Sequence, residues 1–214
     1  RMVKQAGGID VPTDAYLKSC LEWLGEGLWM YDFVGRASID KLLEGFEYGH
    51  RRYGIDTFVV DSFMRLGIGV DDYKAQDNAI FKLTDWTVTR NLHLHLVAHA
   101  RKASDPGQPI GIESVKGTSE IGANAHNIVG VHRRRDIEEK LTIAEYEGDS
   151  EEIENLKSIP PVQAIIAKQR NGDHEGQHGI WFDQSTYRYS GIKRDSRKYV
   201  ESSGQNTEID CAPI

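Results

Sequence analysis

Apolar residues recur at helical spacing in residues 13–24 (Thr-Asp-Ala-Tyr-Leu-Lys-Ser-Cys-Leu-Glu-Trp-Leu), where Thr13 is placed to cap a helix. Residues 28–33 form a short aromatic-rich run of strand type. Ser38-Ile39-Asp40 opens a second helix that runs to about Tyr53, with Leu42, Leu43, Phe46 and Tyr48 available for its buried side and Gly54 as its C-cap. Thr57-Phe58-Val59-Val60-Asp61 is a continuous apolar run closed by a carboxylate, the pattern of a strand buried on both faces of a parallel sheet. Residues 72–90 predict a long helix, apolar at Ala75, Ile80, Leu83 and Val88. Residues 92–99, 127–132 and 162–168 read as further strands. Gly176 and Gly179 punctuate a hairpin over 174–189, in which Ile180-Trp181-Phe182 can pair with Tyr187-Arg188-Tyr189.

Strands alternating with helices predict an α/β fold with a mainly parallel sheet flanked by helices, followed by a C-terminal β-hairpin. Ligands of such sheets bind beyond the carboxyl ends of the strands. Asp61, His99, Arg133 and Arg170 all stand at or just past those ends. No internal repeat is visible. The last stretch, 191–214, is polar and weakly periodic and reads as a tail.

The 214 residues allow one domain of ordinary size, and 39% apolar with 28% charged residues describes a globular chain. No stretch approaches the roughly 20 apolar residues that span a bilayer, so no membrane partner is expected. Two cysteines, Cys20 and Cys211, exclude a disulfide scaffold and suit a reducing, cytoplasmic compartment. The net charge of −7 first argues against a nucleic-acid partner. Its distribution reverses that reading. Residues 136–158 hold nine acidic and two basic side chains, so they carry the whole excess, and the rest of the chain balances 24 against 24. This acidic stretch reads as a solvated helical excursion between two strands, with an acidic docking site as the alternative.

Four constellations could carry chemistry. Asp61-Ser62, at the end of an apolar strand, could hold a magnesium ion beside a nucleotide phosphate. His93 and His95 share one face of a strand that ends near His99. With Asp61 they could form a hydrolytic metal site, while His99 alone could sense a phosphate by hydrogen bonding. Lys168 and Arg170 lie two residues apart at a strand tip, before the Asn171-Gly172 turn, and suit a polyphosphate. The Gly/Pro-bearing stretch 100–122 carries Arg101, Lys102 and Lys116, which could follow a phosphate backbone. Within it Lys116-Gly117-Thr118 has the composition of a P-loop in the wrong order, with no buried strand leading into it.

In order along the chain, these pieces resemble the RecA-like motor domain of hexameric replicative DNA helicases, the DnaB family and the phage and mitochondrial primase-helicases. Residues 165–172, Ile-Ile-Ala-Lys-Gln-Arg-Asn-Gly, are similar to a characteristic segment of that family. Phe58-Val59-Val60-Asp61 resembles the Walker B strand, and Leu96-Val97-Ala98-His99 the sensor strand of the primase-helicase branch. Residues 115–124 and 128–133 are similar to the region after the DNA-binding loop and to the strand that follows it. The resemblance covers about residues 15–190.

It implies that Asp61 serves Mg2+ on ATP or another NTP, that His99 senses the γ-phosphate, and that Arg170 is an arginine finger for a neighbouring subunit, with Lys168 beside it. It places Ser62, Arg133 and Phe182 at the nucleotide, and Arg101, Lys102 and Lys116 at single-stranded DNA inside a hexameric ring. It implies a bacterial or phage-infected cytoplasm. The sequence departs from the family where Asn127 replaces a common Asp. The Walker A loop, Gly-x-x-x-x-Gly-Lys-Ser/Thr, and the strand-ending catalytic Glu are absent from these residues. Residues 1–190 therefore read as a partial RecA-like motor domain cut just after that glutamate, unable to turn over ATP by itself, with no cofactor expected for the fragment alone, and exposing apolar surface. Three alternatives stand beside it: an ATPase-dead RecA-like module that binds single-stranded DNA or docks on a helicase, another RecA-superfamily ATPase, and the Asp61/His93/His95/His99 hydrolase.

Overall fold

The computed structural model describes residues 13–32, 38–69, 71–100, 111, 119–172 and 174–193. The chain divides into two compact units. One draws on Tyr31–His132 and Ala164–Gln177, the other on Arg1–Met30, Arg133–Gln163 and His178–Ile214. The architecture is mixed α/β, with a parallel strand pair and a separate four-stranded sheet.

In the first unit, helix α2 (Ile39–Tyr53) starts at Ser38, whose Oγ accepts from the Lys41 backbone N–H at 3.4 Å. It stops at Gly54, which sits at φ +68°, a left-handed conformation open to a residue without Cβ. Strand β1 (Thr57–Asp61) follows, then helix α3 (Tyr73–Arg90), capped by the Asp72 carboxylate on the Ala75 N–H at 3.0 Å and closed by Asn91 at φ +53°. Strand β2 (His93–Val97) pairs parallel with β1, setting Thr57 opposite His93, Val59 opposite His95 and Asp61 opposite Val97. A short helix, α4 (Ser119–Asn124), precedes strand β3 (Asn127–Arg133).

The core of this unit is aromatic. Phe58 from β1 lies 4.6 Å from the Phe46 ring and 5.0 Å from the Trp86 ring, centre to centre, tying α2, β1 and α3 together. Leu42, Val60, Phe63, Leu66, Ala79, Ile80, Leu83 and Ile121 complete it. Two expected core residues lie outside: Tyr48 and Val88 are both exposed. The double-sided burial expected of β1 is also not observed. Phe58 and Val60 are buried, but Val59 is 61% exposed, and β2 alternates in the same way. One face of the parallel pair packs on helices, and the other, bearing Thr57, Val59, Asp61, His93, His95 and Val97, is open.

In the second unit, helix α1 (Asp14–Gly27) is capped by Thr13, whose Oγ1 accepts from the Tyr16 N–H at 3.3 Å, and it buries Tyr16 and Cys20. The strand expected at 28–33 does not form over its described residues. The Leu28 N–H instead bonds the Leu24 carbonyl and closes α1, and no neighbouring strand pairs with the aromatic run. Helices α5 (Arg135–Glu147) and α6 (Ser150–Ser158) make up the acidic excursion, joined at Gly148 with φ +74°. They share a small core of Ile137, Ala144 and Leu156.

Strands β3, β4 (Val162–Gln169), β5 (Gly176–Asp183) and β6 (Arg188–Ser190) form the second sheet in that order. It is not parallel. The Arg134 N–H bonds the Pro161 carbonyl while the Arg170 N–H bonds the His126 carbonyl, so β3 and β4 run in opposite directions. The six-residue link from β4 to β5 is too short for a parallel crossover. The expected hairpin forms as β5–β6, pairing Trp181 with Ser190, Phe182 with Tyr189 and Asp183 with Arg188, while Gly176 and Gly179 lie within β5 itself. The expected mainly parallel sheet is thus confined to β1 and β2. Short connections cannot make parallel pairs, and the second half of the chain has only short connections or the α5–α6 excursion.

Candidate functional site

Asp61 is the last residue of β1 and is exposed. His99 lies two residues beyond β2, also exposed. Because Asp61 is in register with Val97, both residues leave the same carboxyl end of the parallel pair. An exposed carboxylate there fits one oxygen ligand of a magnesium ion, with phosphate and water completing the shell. Ser62 fits less well: it is buried, and its carbonyl accepts the Arg65 N–H at 2.8 Å to start a 3-10 turn at Phe63–Arg65.

Lys168 and Arg170 belong to the same unit as Asp61 and His99, and both turn to α4. The Lys168 Nζ donates to the carbonyls of Gly122 (2.8 Å) and Ala123 (3.0 Å). An Arg170 guanidinium nitrogen donates to the Ala123 carbonyl at 3.4 Å. These carbonyls are the orphan acceptors at a helix C-terminus, where cations are favoured. The two cations therefore hold the helix that immediately follows residues 112–118. Sequence reasoning placed them at the strand tip but missed this engagement, because their acceptors lie more than forty residues away.

Arg133 and Phe182 belong to the other unit. Arg133 is paired with Glu138, Nε to Oε1 at 2.6 Å, and this hydrogen bond raises the guanidinium pKa further above its usual range. Phe182 stacks within its own hairpin, 4.9 Å from the Tyr189 ring. Arg101, Lys102 and Lys116 lie outside the described residues.

The four-residue hydrolytic metal site is not assembled. His93 and His95 face each other at 4.4 Å between ring centres. Among the described residues, however, no three His, Cys, Asp or Glu side chains converge, so Asp61 and His99 stand apart from the pair. Alternation on a strand aligns His93 with His95, but it cannot bring a residue two positions past the strand end back to them.

A second polar cluster went unread in the sequence. The Glu47 carboxylate accepts from the Trp86 indole N–H at 2.9 Å, from the Arg90 Nε, and from the Arg51 Nε at 2.6 Å. These bonds, Trp86 first, hold its pKa down at about 2. The cluster joins α2 to α3 behind the aromatic core and is structural. Its only sequence trace is the i, i+4 spacing of Glu47 and Arg51.

Among the described residues, no helix is long and apolar enough to cross a membrane. Comparison of the chain with protein-family models and with curated proteins finds no match in either.

Proposed function

We propose that this chain is part of the motor of an ATP-dependent replicative DNA helicase, one that translocates on single-stranded DNA and works as a hexameric ring. The observation that carries the reading is the common exit of Asp61 and His99 from the carboxyl end of the β1–β2 pair, in the unit that also carries Lys168 and Arg170. In the proposed mechanism Asp61 helps hold the Mg2+ of a bound NTP and His99 hydrogen-bonds its terminal phosphate. Arg170 exchanges the Ala123 carbonyl for the phosphate of a neighbouring subunit, where a guanidinium stabilises the charge that develops in phosphoryl transfer. Lys168 supports it as a point charge. Arg101, Lys102 and Lys116 are assigned to the DNA phosphates.

The 214 residues contain no Gly-x-x-x-x-Gly-Lys-Ser/Thr loop to cradle the β- and γ-phosphates. The purified chain is therefore expected to turn over no ATP, with or without single-stranded DNA, in a phosphate-release assay. Steady turnover that disappears in Arg170→Ala would overturn the proposal in this form.

A second reading, an ATPase-dead module that binds single-stranded DNA or docks on a helicase, is favoured by one observation. Lys168 and Arg170 are already engaged on α4 carbonyls, as groups with a purely structural role would be.

A further inference from the structure

The open face of the β1–β2 pair carries a feature that the proposed motor does not use. His93 and His95 occupy alternate positions of β2, so their side chains leave the same face about 7 Å apart along the strand. Both are exposed. Their rings meet edge to face, tilted by 68° with centres 4.4 Å apart, so rotation about the side-chain torsions suffices to bring one nitrogen of each to a single ion. A metal–nitrogen bond of about 2.0–2.1 Å puts the ion roughly 3.2 Å from each ring centre. Two rings at a right angle about the ion then have centres about 4.5 Å apart, and two rings at a tetrahedral angle about 5.2 Å apart. The observed spacing lies within reach of either arrangement.

Cross-strand neighbours add no competing charge, since Thr57 lies opposite His93 and Val59 opposite His95. The donor set is two imidazole nitrogens with solvent filling the remaining positions. Imidazole nitrogen with solvent oxygen suits Cu2+ and Ni2+, and Cu2+ stands highest in the affinity order of divalent first-row ions. Mg2+ and Ca2+ require oxygen ligands and are poorly served by this pair.

We infer that His93 and His95 form a two-imidazole chelate for a divalent transition-metal ion, preferring Cu2+ over Ni2+, on the open face of the β1–β2 pair and separate from Asp61 and His99. The second imidazole is held on a hydrogen-bonded strand, so it meets the ion already bound by the first without a backbone ordering cost.

The test is calorimetric titration of the full chain with Cu2+ and with Ni2+, accompanied by electron paramagnetic resonance of the Cu2+ complex. One Cu2+ site with hyperfine structure from two nitrogens is expected, tighter than Ni2+ and undisturbed by millimolar Mg2+. His93→Ala and His95→Ala should each weaken it by roughly tenfold or more, the loss of a chelate to a single ligand. Asp61→Asn and His99→Ala should leave it unchanged. Both histidines are exposed, so their variants are expected to melt like the parent protein. Binding unaffected by either histidine substitution would overturn the inference, as would equal loss in Asp61→Asn or a single-nitrogen spectrum.

Discussion

Glu47 shows how a single residue ties the first unit together. Its carboxylate gathers an indole N–H and two guanidinium groups, and its pKa falls from 4.5 to about 2. A depressed carboxylate stabilises the fold fully above its unfolded pKa and loses that contribution as pH falls through its folded pKa. The window is therefore pH 4.5 down to about 2. Glu47→Gln should lower the Tm at neutral pH and flatten the decline of Tm across that window. Thermal melts by circular dichroism from pH 7 to pH 2 read this directly. An unchanged acid limb in the variant would assign the acid sensitivity to other carboxylates. The Glu47 cluster was illegible in sequence because Trp86 and Arg90 lie some forty residues away. Lys168 and Arg170 were legible as a pair at a strand tip but not as a cap for α4, for the same reason.

Helix boundaries were the clearest signals at the scale of elements, because a cap is a local contact. Thr13, Ser38 and Gly54 all do what their positions in sequence suggest. Gly54, at φ +68°, also provides a sharp test: Gly54→Ala forces a Cβ into the left-handed region and should cost about 1 kcal/mol. Chemical denaturation should register this as a lower midpoint with unchanged slope. A stabilised variant would mean that the relief of unfolded-state entropy outweighs the strain.

Strand burial was harder to read. The run Phe58-Val59-Val60 is apolar throughout, yet only one side is covered. Alternation reveals a half-buried strand only when the outward residues are polar, and Val59 is not. The aromatic run after α1 misled for a related reason: β propensity reports fitness for a pleated surface, not the presence of a partner strand.

For the whole molecule, the α/β class and the hairpin were legible, while the division into a parallel pair and a separate, sequentially ordered, non-parallel sheet was not. Sheet direction depends on which strands meet, and short links settle it only once strand ends are known. Val59 in the parallel pair and Val129 and Val131 in the second sheet are each more than half exposed. The acidic excess resides in residues 136–158, within the α5–α6 hairpin that has its own small core, and the remaining charges balance. Lys193, where a polar tail was expected, is anchored: its Nζ donates to the Lys157 carbonyl at 2.8 Å and lies 5.1 Å from the Trp181 ring centre.

The proposed helicase motor requires that this chain meet single-stranded DNA, with Arg101, Lys102 and Lys116 as the assigned contacts. Fluorescence anisotropy of a labelled single-stranded oligonucleotide, titrated with the purified chain over a series of salt concentrations, tests it most directly. The account predicts binding whose logarithmic salt slope is about −0.7 per neutralised phosphate. The slope should shrink by roughly two to three such steps when all three cations are replaced by Ala, and stay the same in His93→Ala. Absence of binding at low salt, or binding indifferent to the triple substitution, would contradict it.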